Sequence, residues 1–149
     1  MSNYERIMEA AAQYVAEEKP SVNCPEDTAN ILRPILQNKK QEEMWVILLN
    51  AKNRVEKIHM VTMGLADRSQ CHAREIFREA IVNNASKIIL AHNHPSGDPT
   101  PSPQDITMTR SVVEAGKIIG IEVIDHIIVG MKTSARHVDH LSFRNERLI

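Results

Sequence analysis

The sequence predicts an α/β sandwich, in which a mixed β-sheet is flanked by helices. The first observation behind this is that apolar residues recur with helical and strand-like periods in the order ααββαβαβ. The second is size, because 149 residues suit a single domain and the 42% that are hydrophobic can build its core. The third is that the sequence contains no internal repeat or low-complexity segment. Together they favour one layered domain.

The first part of the chain is predicted to be helical. An apolar stripe with charges opposite it indicates a helix from Tyr4 to Glu18, and Pro20 ends that helix. Pro25 is followed by two acidic residues, which suit the first turn of a second helix. Pro34 could kink this second helix.

The period then changes to that of strands. Met44 to Leu49 is a short unbroken apolar run, typical of a buried strand. Val55 to Met63 follows it after a polar turn, which predicts a hairpin. A loop is predicted over residues 64–70, before a helix from Ala73 to Asn83. The predicted buried side of that helix consists of Ile76, Phe77, Ala80 and Ile81.

The second half of the chain completes the α/β pattern. A strand from Ser86 leads into a loop, residues 95–103, whose four prolines and one glycine predict a rigid structure. A helix is predicted from Pro103 to about Ile119, and a further strand from Ile121 to Val129. The irregular tail could hold one last short strand.

Charge and cysteine content exclude several classes of protein. The formal net charge of −1 disfavours a protein whose main affinity is for the nucleic-acid backbone, so direct nucleic-acid binding is doubtful. Two cysteines are too few for a secreted disulfide scaffold. The N-terminal residues carry charges throughout, unlike a signal peptide, and no apolar run reaches the ~20 residues of a membrane span. We therefore expect a cytoplasmic protein without a membrane partner.

Two histidines at the end of a predicted strand indicate a metal site. His92 and His94 are two residues apart, so in an extended chain their side chains point the same way. The rigid loop that follows leads to Asp105, which can supply an oxygen ligand. Two nitrogens and one carboxylate oxygen match zinc in a catalytic site, where the fourth position is left to water. The sequence therefore predicts one zinc ion per chain.

A structural explanation exists for some of the same residues. His-x-His alone is a weak signal, since two surface histidines in a loop are common. Ser102-Pro-Gln-Asp105 also reads as a helix start, with serine as N-cap and an acid three residues on. Hydrolysis by this site would also need a carboxylate that moves a proton. Glu42 and Glu43, at the opening of the first strand, are both candidates, and periodicity does not choose between them.

The spacing of these residues resembles a known pattern. His92, His94, Ser102 and Asp105 are spaced as in the JAMM motif of MPN-domain metalloproteases. The chain is similar to the bacterial RadC family, whose members were named as DNA repair proteins. The strings that carry this similarity are His92-Asn-His94-Pro-Ser-Gly-Asp-Pro-Thr-Pro-Ser, Leu48-Leu-Asn-Ala-Lys-Asn-Arg54, Arg74-Glu-Ile-Phe77 and Asp125-His-Ile-Ile-Val-Gly130.

The resemblance implies a fold and an organisation of the chain. The fold is the cytidine-deaminase-like α/β sandwich of MPN domains. The RadC-like MPN domain is expected over residues 41–149, after an N-terminal helical segment at residues 1–40.

The resemblance also implies roles for the site residues. Zinc is expected on His92, His94 and Asp105. Glu42 matches the general acid/base glutamate, with Glu43 as the alternative one residue away. Ser102 matches the serine that hydrogen-bonds the oxyanion.

The leading hypothesis is therefore a zinc-dependent hydrolase, a metallopeptidase or isopeptidase that acts on a peptide or protein. In JAMM enzymes the substrate is typically a peptide or isopeptide bond, as in ubiquitin removal, and bacterial hosts usually lack ubiquitin, so the substrate does not carry over. The family's usual His-Pro-Arg-Glu also appears here as His72-Ala-Arg-Glu75. The alternative is an accessory protein that works with a DNA-repair partner and whose metal site is structural or serves another reaction. The sequence leaves the substrate and the oligomeric state open.

Overall fold

The computed structural model describes residues 1–8, 19–63 and 72–149. Residues 3–8 are helical, and the rest of the first predicted helix lies mostly outside the described residues, as does the loop predicted over residues 64–70. The helices named below are α1 (Pro25–Leu36), α2 (Ala73–Val82) and α3 (Pro103–Ile119). The strands are β1 (Glu43–Leu49), β2 (Val55–Met63), β3 (Lys87–Asn93), β4 (Glu122–Val129) and β5 (His140–Ser142).

These strands form one mixed sheet in the order β2-β1-β3-β4-β5. The β3–β4 pair is parallel, because α3 carries the chain back across the sheet between them, and the other pairs are antiparallel. The predicted hairpin of β1 and β2 and the short final strand β5 are both confirmed.

Helices cover both faces of the sheet. On one face α2 and α3 pack their apolar sides, including Phe77 and Val112, against strand residues such as Leu90. On the other face α1 packs Leu32 and Leu36 against the sheet. The predicted α/β sandwich with a mixed sheet is therefore confirmed.

The burial predicted for Ile81 is wrong. Its side chain is 55% exposed, whereas Ile76, Phe77 and Ala80 are fully buried. Those three already form the stripe that faces the sheet, and Ile81 lies at the edge of that stripe in the last turn of α2. Amphipathic periodicity gives the direction of a buried face but not its width.

The site lies at one edge of the sheet, where β3 ends and where β1 and α3 begin. The last antiparallel pair between β1 and β3 is Met44 with His92, so β1 begins where β3 ends. The loop after β3 then returns the chain to the start of α3, whose first turn holds Asp105.

Candidate metal centre

His92 and His94 bring their Nε2 atoms together at the end of β3. The two atoms are 3.0 Å apart. His92 is 1% exposed, and the backbone N–H of His94 continues the parallel pairing by donating to Val129 O at 3.1 Å. Alternation along the strand places both rings on the face that α3 covers.

Asp105 reaches the same point from the first turn of α3. Its Oδ2 lies 3.2 Å from His94 Nε2 and its Oδ1 lies 3.5 Å from His92 Nε2, and the residue is fully buried. The helix start fixes this position, since Asp105 Oδ2 accepts the Ser102 N–H at 2.8 Å and Ser102 Oγ accepts the Asp105 N–H at 3.1 Å. The acid of the predicted helix start and the predicted metal ligand are thus the same carboxylate, that of Asp105.

Glu42 is the residue immediately before β1, and its carboxylate faces the two histidines. Its Oε1 is 3.8 Å from the Nε2 of each ring. Met44 is paired with His92, and Glu42 precedes it by two residues, which places Glu42 on the same face of the sheet. The Glu43 carboxylate instead accepts a hydrogen bond from the indole of Trp45 at 2.9 Å. Of the two candidates, the structure places Glu42 beside the histidines.

The hydrogen bonds of His94 decide which of its ring nitrogens carries the proton. Its Nδ1 lies 2.7 Å from the backbone oxygen of Asp98. A carbonyl oxygen only accepts, so Nδ1 is the donor and Nε2 of the neutral ring presents its lone pair.

A series of buried, hydrogen-bonded groups determines which ring nitrogen of His92 carries the proton. Its Nδ1 is 2.6 Å from His126 Nε2, and His126 Nδ1 is 2.6 Å from Thr109 Oγ1, which itself donates to Asp105 O at 2.6 Å. The single hydroxyl proton of Thr109 is used on that carbonyl, so His126 Nδ1 must donate to the hydroxyl. His126 Nε2 then accepts from His92 Nδ1, which leaves the Nε2 lone pair of His92 directed to the site.

This arrangement fits a metal ion. Two lone pairs 3.0 Å apart, next to two carboxylates, repel one another unless a cation lies between them. Ligands bound tetrahedrally to zinc at its usual bond lengths are about 3.3 Å from one another. The Nε2 atoms of His92 and His94 are 3.0 Å apart, and the Asp105 carboxylate approaches them with different oxygens, Oδ2 at 3.2 Å from His94 and Oδ1 at 3.5 Å from His92. Among the described residues, the group whose single ligand atoms converge closely enough for a metal consists of Glu42, His92 and His94, although its Glu42 separations of 3.8 Å are longer than those of the nearest Asp105 oxygens.

The loop after His94 is held against the segment that follows β4. The Gly97 oxygen accepts from Met131 N at 2.8 Å and from the Arg136 guanidinium at 2.7 Å. Thr100 donates a side-chain hydrogen bond to Asp98, which lowers the pKa of that carboxyl. The predicted rigidity of the loop therefore has a concrete basis in contacts with residues that follow β4.

Sequence reasoning missed two residues of the site, His126 and Thr109. His126 has no paired spacing with another histidine on a strand with a shared loop, so the sequence predicts a structural or surface role for it. Its partners are His92 on the neighbouring strand and Thr109 on the crossing helix, and they meet it only once β3, α3 and β4 are assembled. A signal existed in the string Asp125-His-Ile-Ile-Val-Gly130, in which a histidine interrupts a buried apolar strand.

Comparisons with known proteins point to one family. The RadC-like JAB domain matches residues 22–148. The chain is 46% identical over 120 residues to the UPF0758 protein of Desulforudis audaxviator, covering 80% of this chain and 52% of that protein. It is 47% identical over 113 residues to the UPF0758 protein of Caldanaerobacter subterraneus, covering 76% and 48%. The relative in Methanosarcina mazei is 38% identical over 117 residues, covering 78% and 51%.

The chain spans about half the length of these curated relatives. Among the described residues, no helix combines the length and the apolar character that crossing a membrane requires.

Proposed function

The chain belongs to the family of RadC-like JAB domains, and from that premise we propose that it is a zinc-dependent hydrolase that cleaves an amide bond in a peptide or protein. The observation that carries the proposal is the convergence of two histidine Nε2 atoms and two carboxylates within 3.0–3.8 Å at the end of the sheet. Two nitrogen ligands and one carboxylate ligand are typical of catalytic zinc.

His92, His94 and Asp105 would hold the zinc ion. When bound, the ion would act as a Lewis acid that lowers the pKa of water and polarises a carbonyl oxygen. The hydrogen bonds from His92 to His126 and from His94 to Asp98 orient the two rings, and oriented outer partners of this kind strengthen metal binding. The bonds between Ser102 and Asp105 orient the carboxylate in the same way.

Glu42 would move the proton. Its carboxylate is close enough to the histidine pair to accept a proton from an attacking water molecule, and its side chain is 19% exposed, so a substrate can reach it. The same carboxylate can then deliver the proton to the leaving amine, which amide cleavage requires.

Ser102 would stabilise the developing charge on the substrate. Its hydroxyl accepts the Asp105 N–H at the start of α3, and as a donor it can hydrogen-bond the carbonyl oxygen that becomes negative during attack. Its place at the N-cap of α3 adds the favourable potential of the helix N-terminus.

Cleavage profiling against peptide and isopeptide libraries tests the proposal, with Glu42→Gln and Glu43→Gln as a matched pair. We expect zinc-dependent cleavage by the parent, a loss of about 10²–10⁴-fold in kcat in Glu42→Gln with zinc retained, and little change in Glu43→Gln. Glutamine keeps the shape of each side chain, and only Glu42 faces the histidines. Full activity of both single variants and of the double variant would leave the hydrolase without its base.

The accessory role in DNA repair predicts a different result. A partner-dependent or DNA-dependent protein should cleave no library member and should bind DNA with an affinity that falls steeply with salt. The net charge of −1 does not favour that outcome.

A further inference from the structure

Asn93 is the last residue of β3 and lies between His92 and His94 in the sequence, and its side chain reaches the start of β1. Its Oδ1 accepts a hydrogen bond from the backbone N–H of Glu43 at 2.7 Å. Its Nδ2 donates to the backbone oxygen of Gln41 at 3.0 Å. The residue is 2% exposed, so the bond to Glu43 is buried, and the bond to the exposed Gln41 is partly buried. The two bonds therefore hold the peptide groups on both sides of Glu42, and we call this pair of bonds the Asn93 clamp.

The Asn93 clamp acts where the backbone ladder stops. The last paired residues of β1 and β3 are Met44 and His92, so residues 41–43 lie beyond that ladder, although Glu43 is still paired with Met63 of β2 on its other side. A carboxamide presents one acceptor and two donors and can replace a peptide group of the neighbouring strand. Residues 38–41 are exposed, so burial does not hold this segment in place. The side chain of Asn93 thus extends the pairing of the two strands by two residues.

The additional pairing made by the Asn93 side chain helps to fix the position of Glu42. Its Oε1 is equally distant, at 3.8 Å, from the Nε2 atoms of His92 and His94. A glutamate has three rotatable side-chain bonds, so its carboxylate stays at such a point only if its Cα is fixed as well. The end of β3, which presents His92 and leads directly into His94, thereby fixes the backbone of the glutamate that faces them.

We propose that Asn93 is a positioning residue that holds the Glu42 carboxylate at the metal site, an inference that rests on the proposed role of Glu42. Displacement of a reacting group by about 1 Å costs on the order of 10²-fold in rate. Loss of the Asn93 clamp should therefore lower kcat through Glu42, with the metal still bound by the histidines and Asp105.

Asn50 offers a matched control at the other end of β1. Its Oδ1 accepts from the backbone N–H groups of Lys52 at 2.9 Å and of Arg54 at 3.0 Å, so it too holds backbone by its carboxamide. It lies in the turn between β1 and β2, outside the site. Asn50→Ala should lower stability without changing the metal site.

The first measurement needs only the metal as a probe. Cobalt(II) is bound to the parent, Asn93→Ala, Asn50→Ala and Glu42→Gln, and the visible absorption of the ion reports the geometry around it. We expect Asn93→Ala to bind one cobalt ion and to shift the spectrum towards that of Glu42→Gln, whereas Asn50→Ala keeps the parent spectrum. Asn93→Ser, which is too short to reach both peptide groups, serves if Asn93→Ala does not fold.

The second measurement uses the best peptide found by library profiling. Asn93→Ala should lower kcat about 10–10²-fold with KM little changed, and it should cause no further loss in the Glu42→Gln background, because two residues that act through one group are not additive. A purely structural role would instead reduce activity by a similar factor in both backgrounds.

The outcomes separate this inference from the proposed function. Parent-like spectra and kcat in both Asn93 variants would overturn the inference and leave the hydrolase intact. Loss of the metal in Asn93→Ala would also overturn it, because Asn93 would then support the ligands. A parent that cleaves no peptide would overturn the proposed function alone, since the spectra still decide for or against the Asn93 clamp. A Glu42→Gln variant as active as the parent would overturn the inference, and it would overturn the proposed function as well if Glu43→Gln and the double variant were also fully active.

Discussion

At the scale of single residues, the site is built from groups whose hydrogen bonds dictate where their lone pairs point. His92 and His94 each give the proton of Nδ1 to a fixed acceptor, and their Nε2 atoms meet at 3.0 Å. We predict that the purified protein binds about one zinc ion per chain and that His94→Ala loses most of it. Elemental analysis measures the zinc content of each variant. His137→Ala is the control, because His137 is an exposed histidine. Undiminished zinc in His94→Ala would contradict the assignment.

Thr109 determines which ring nitrogens of His126 and His92 carry protons, because its hydroxyl begins the series of hydrogen bonds that leads to His92. In Thr109→Val the shape of the side chain is kept, but the buried Nδ1 of His126 loses its partner. We expect a loss of about 1–3 kcal/mol in the free energy of unfolding and a loss of about 10–100-fold in zinc affinity. Competition with a chelator measures the affinity, and Thr107→Val, on the exposed side of the same helix, is the control. Equal zinc affinity in the two variants would show that the proton order has no effect on the site.

Ser102 combines two roles that a substitution can separate. It caps α3 by accepting the Asp105 N–H, and we assign its hydroxyl to the substrate oxygen. Aspartate is a good cap, so Ser102→Asp should keep the thermal stability of the protein. It should lose activity, because a negative charge would stand where negative charge must develop. Thermal unfolding and peptide cleavage are measured on the same sample, and a variant that cleaves as fast as the parent would show the oxyanion role to be wrong.

At the scale of elements, the site depends on a close approach between two loops. A Cβ added at Gly130 would overlap the oxygen of Gly97 and lie 2.8 Å from its carbonyl carbon. We expect Gly130→Ala to displace the loop that carries His94, with a loss of about 1–3 kcal/mol in stability and weaker zinc binding. Gly120→Ala is the control, since Gly120 has φ +85° at the end of α3 and open space around it. That variant should lose stability through backbone strain alone and bind zinc as tightly as the parent.

The sequence predicted each element wherever its own local pattern was sufficient. The apolar run of β1, the helix start at Ser102 and the pair of histidines at the end of β3 all carry short-range signals, and the structure has those elements in place. Contacts between distant segments were missed for the same reason. His126 meets its partners across 34 and 17 residues of sequence, and the Asn93 clamp spans about 50. Neither has a period or spacing that one element could reveal.

The choice between Glu42 and Glu43 shows the same limit. Both precede the same apolar run, and alternation states only that they face opposite ways. The pairing of Met44 with His92 is what assigns Glu42 to the face of the histidines. Sheet register is a property of two strands, so one strand's sequence left the alternatives open.

At the scale of the whole molecule, an ion pair ties α1 to the segment before β5. Arg33 donates to Asp139 from Nε at 2.7 Å and from Nη2 at 3.0 Å, across 106 residues of sequence. Gln37 adds a bond to the same carboxylate at 3.0 Å, and the backbone oxygen of Asp139 accepts from Gly130 N at 2.6 Å. Through Asp139, α1 is thereby connected to Gly130, against which Gly97 of the loop after His94 packs.

This connection makes the stability of the protein depend on pH. The hydrogen bonds from Arg33 hold the pKa of the buried Asp139 carboxyl well below its usual range. A carboxyl whose pKa is lower in the folded state than in the unfolded state, where it is about 3.9, stabilises the fold at pH values above that figure. The contribution is lost as the pH falls towards the folded-state pKa, because the unfolded chain then binds the proton more readily.

We therefore predict that Asp139→Asn lowers the free energy of unfolding by about 2 kcal/mol at pH 7 and that the difference from the parent shrinks below a pH of about 4. Urea unfolding at pH 7 and at pH 3 measures it, with a chelator present throughout so that loss of metal at low pH does not contribute. Glu114→Gln is the control, because Glu114 pairs with Lys117 on the surface, with side chains 68% and 67% exposed, and such pairs contribute little. A difference between Asp139→Asn and the parent that is the same at both pH values would mean that the shape of the Asp139 side chain, and not its charge, holds α1 to the rest of the molecule.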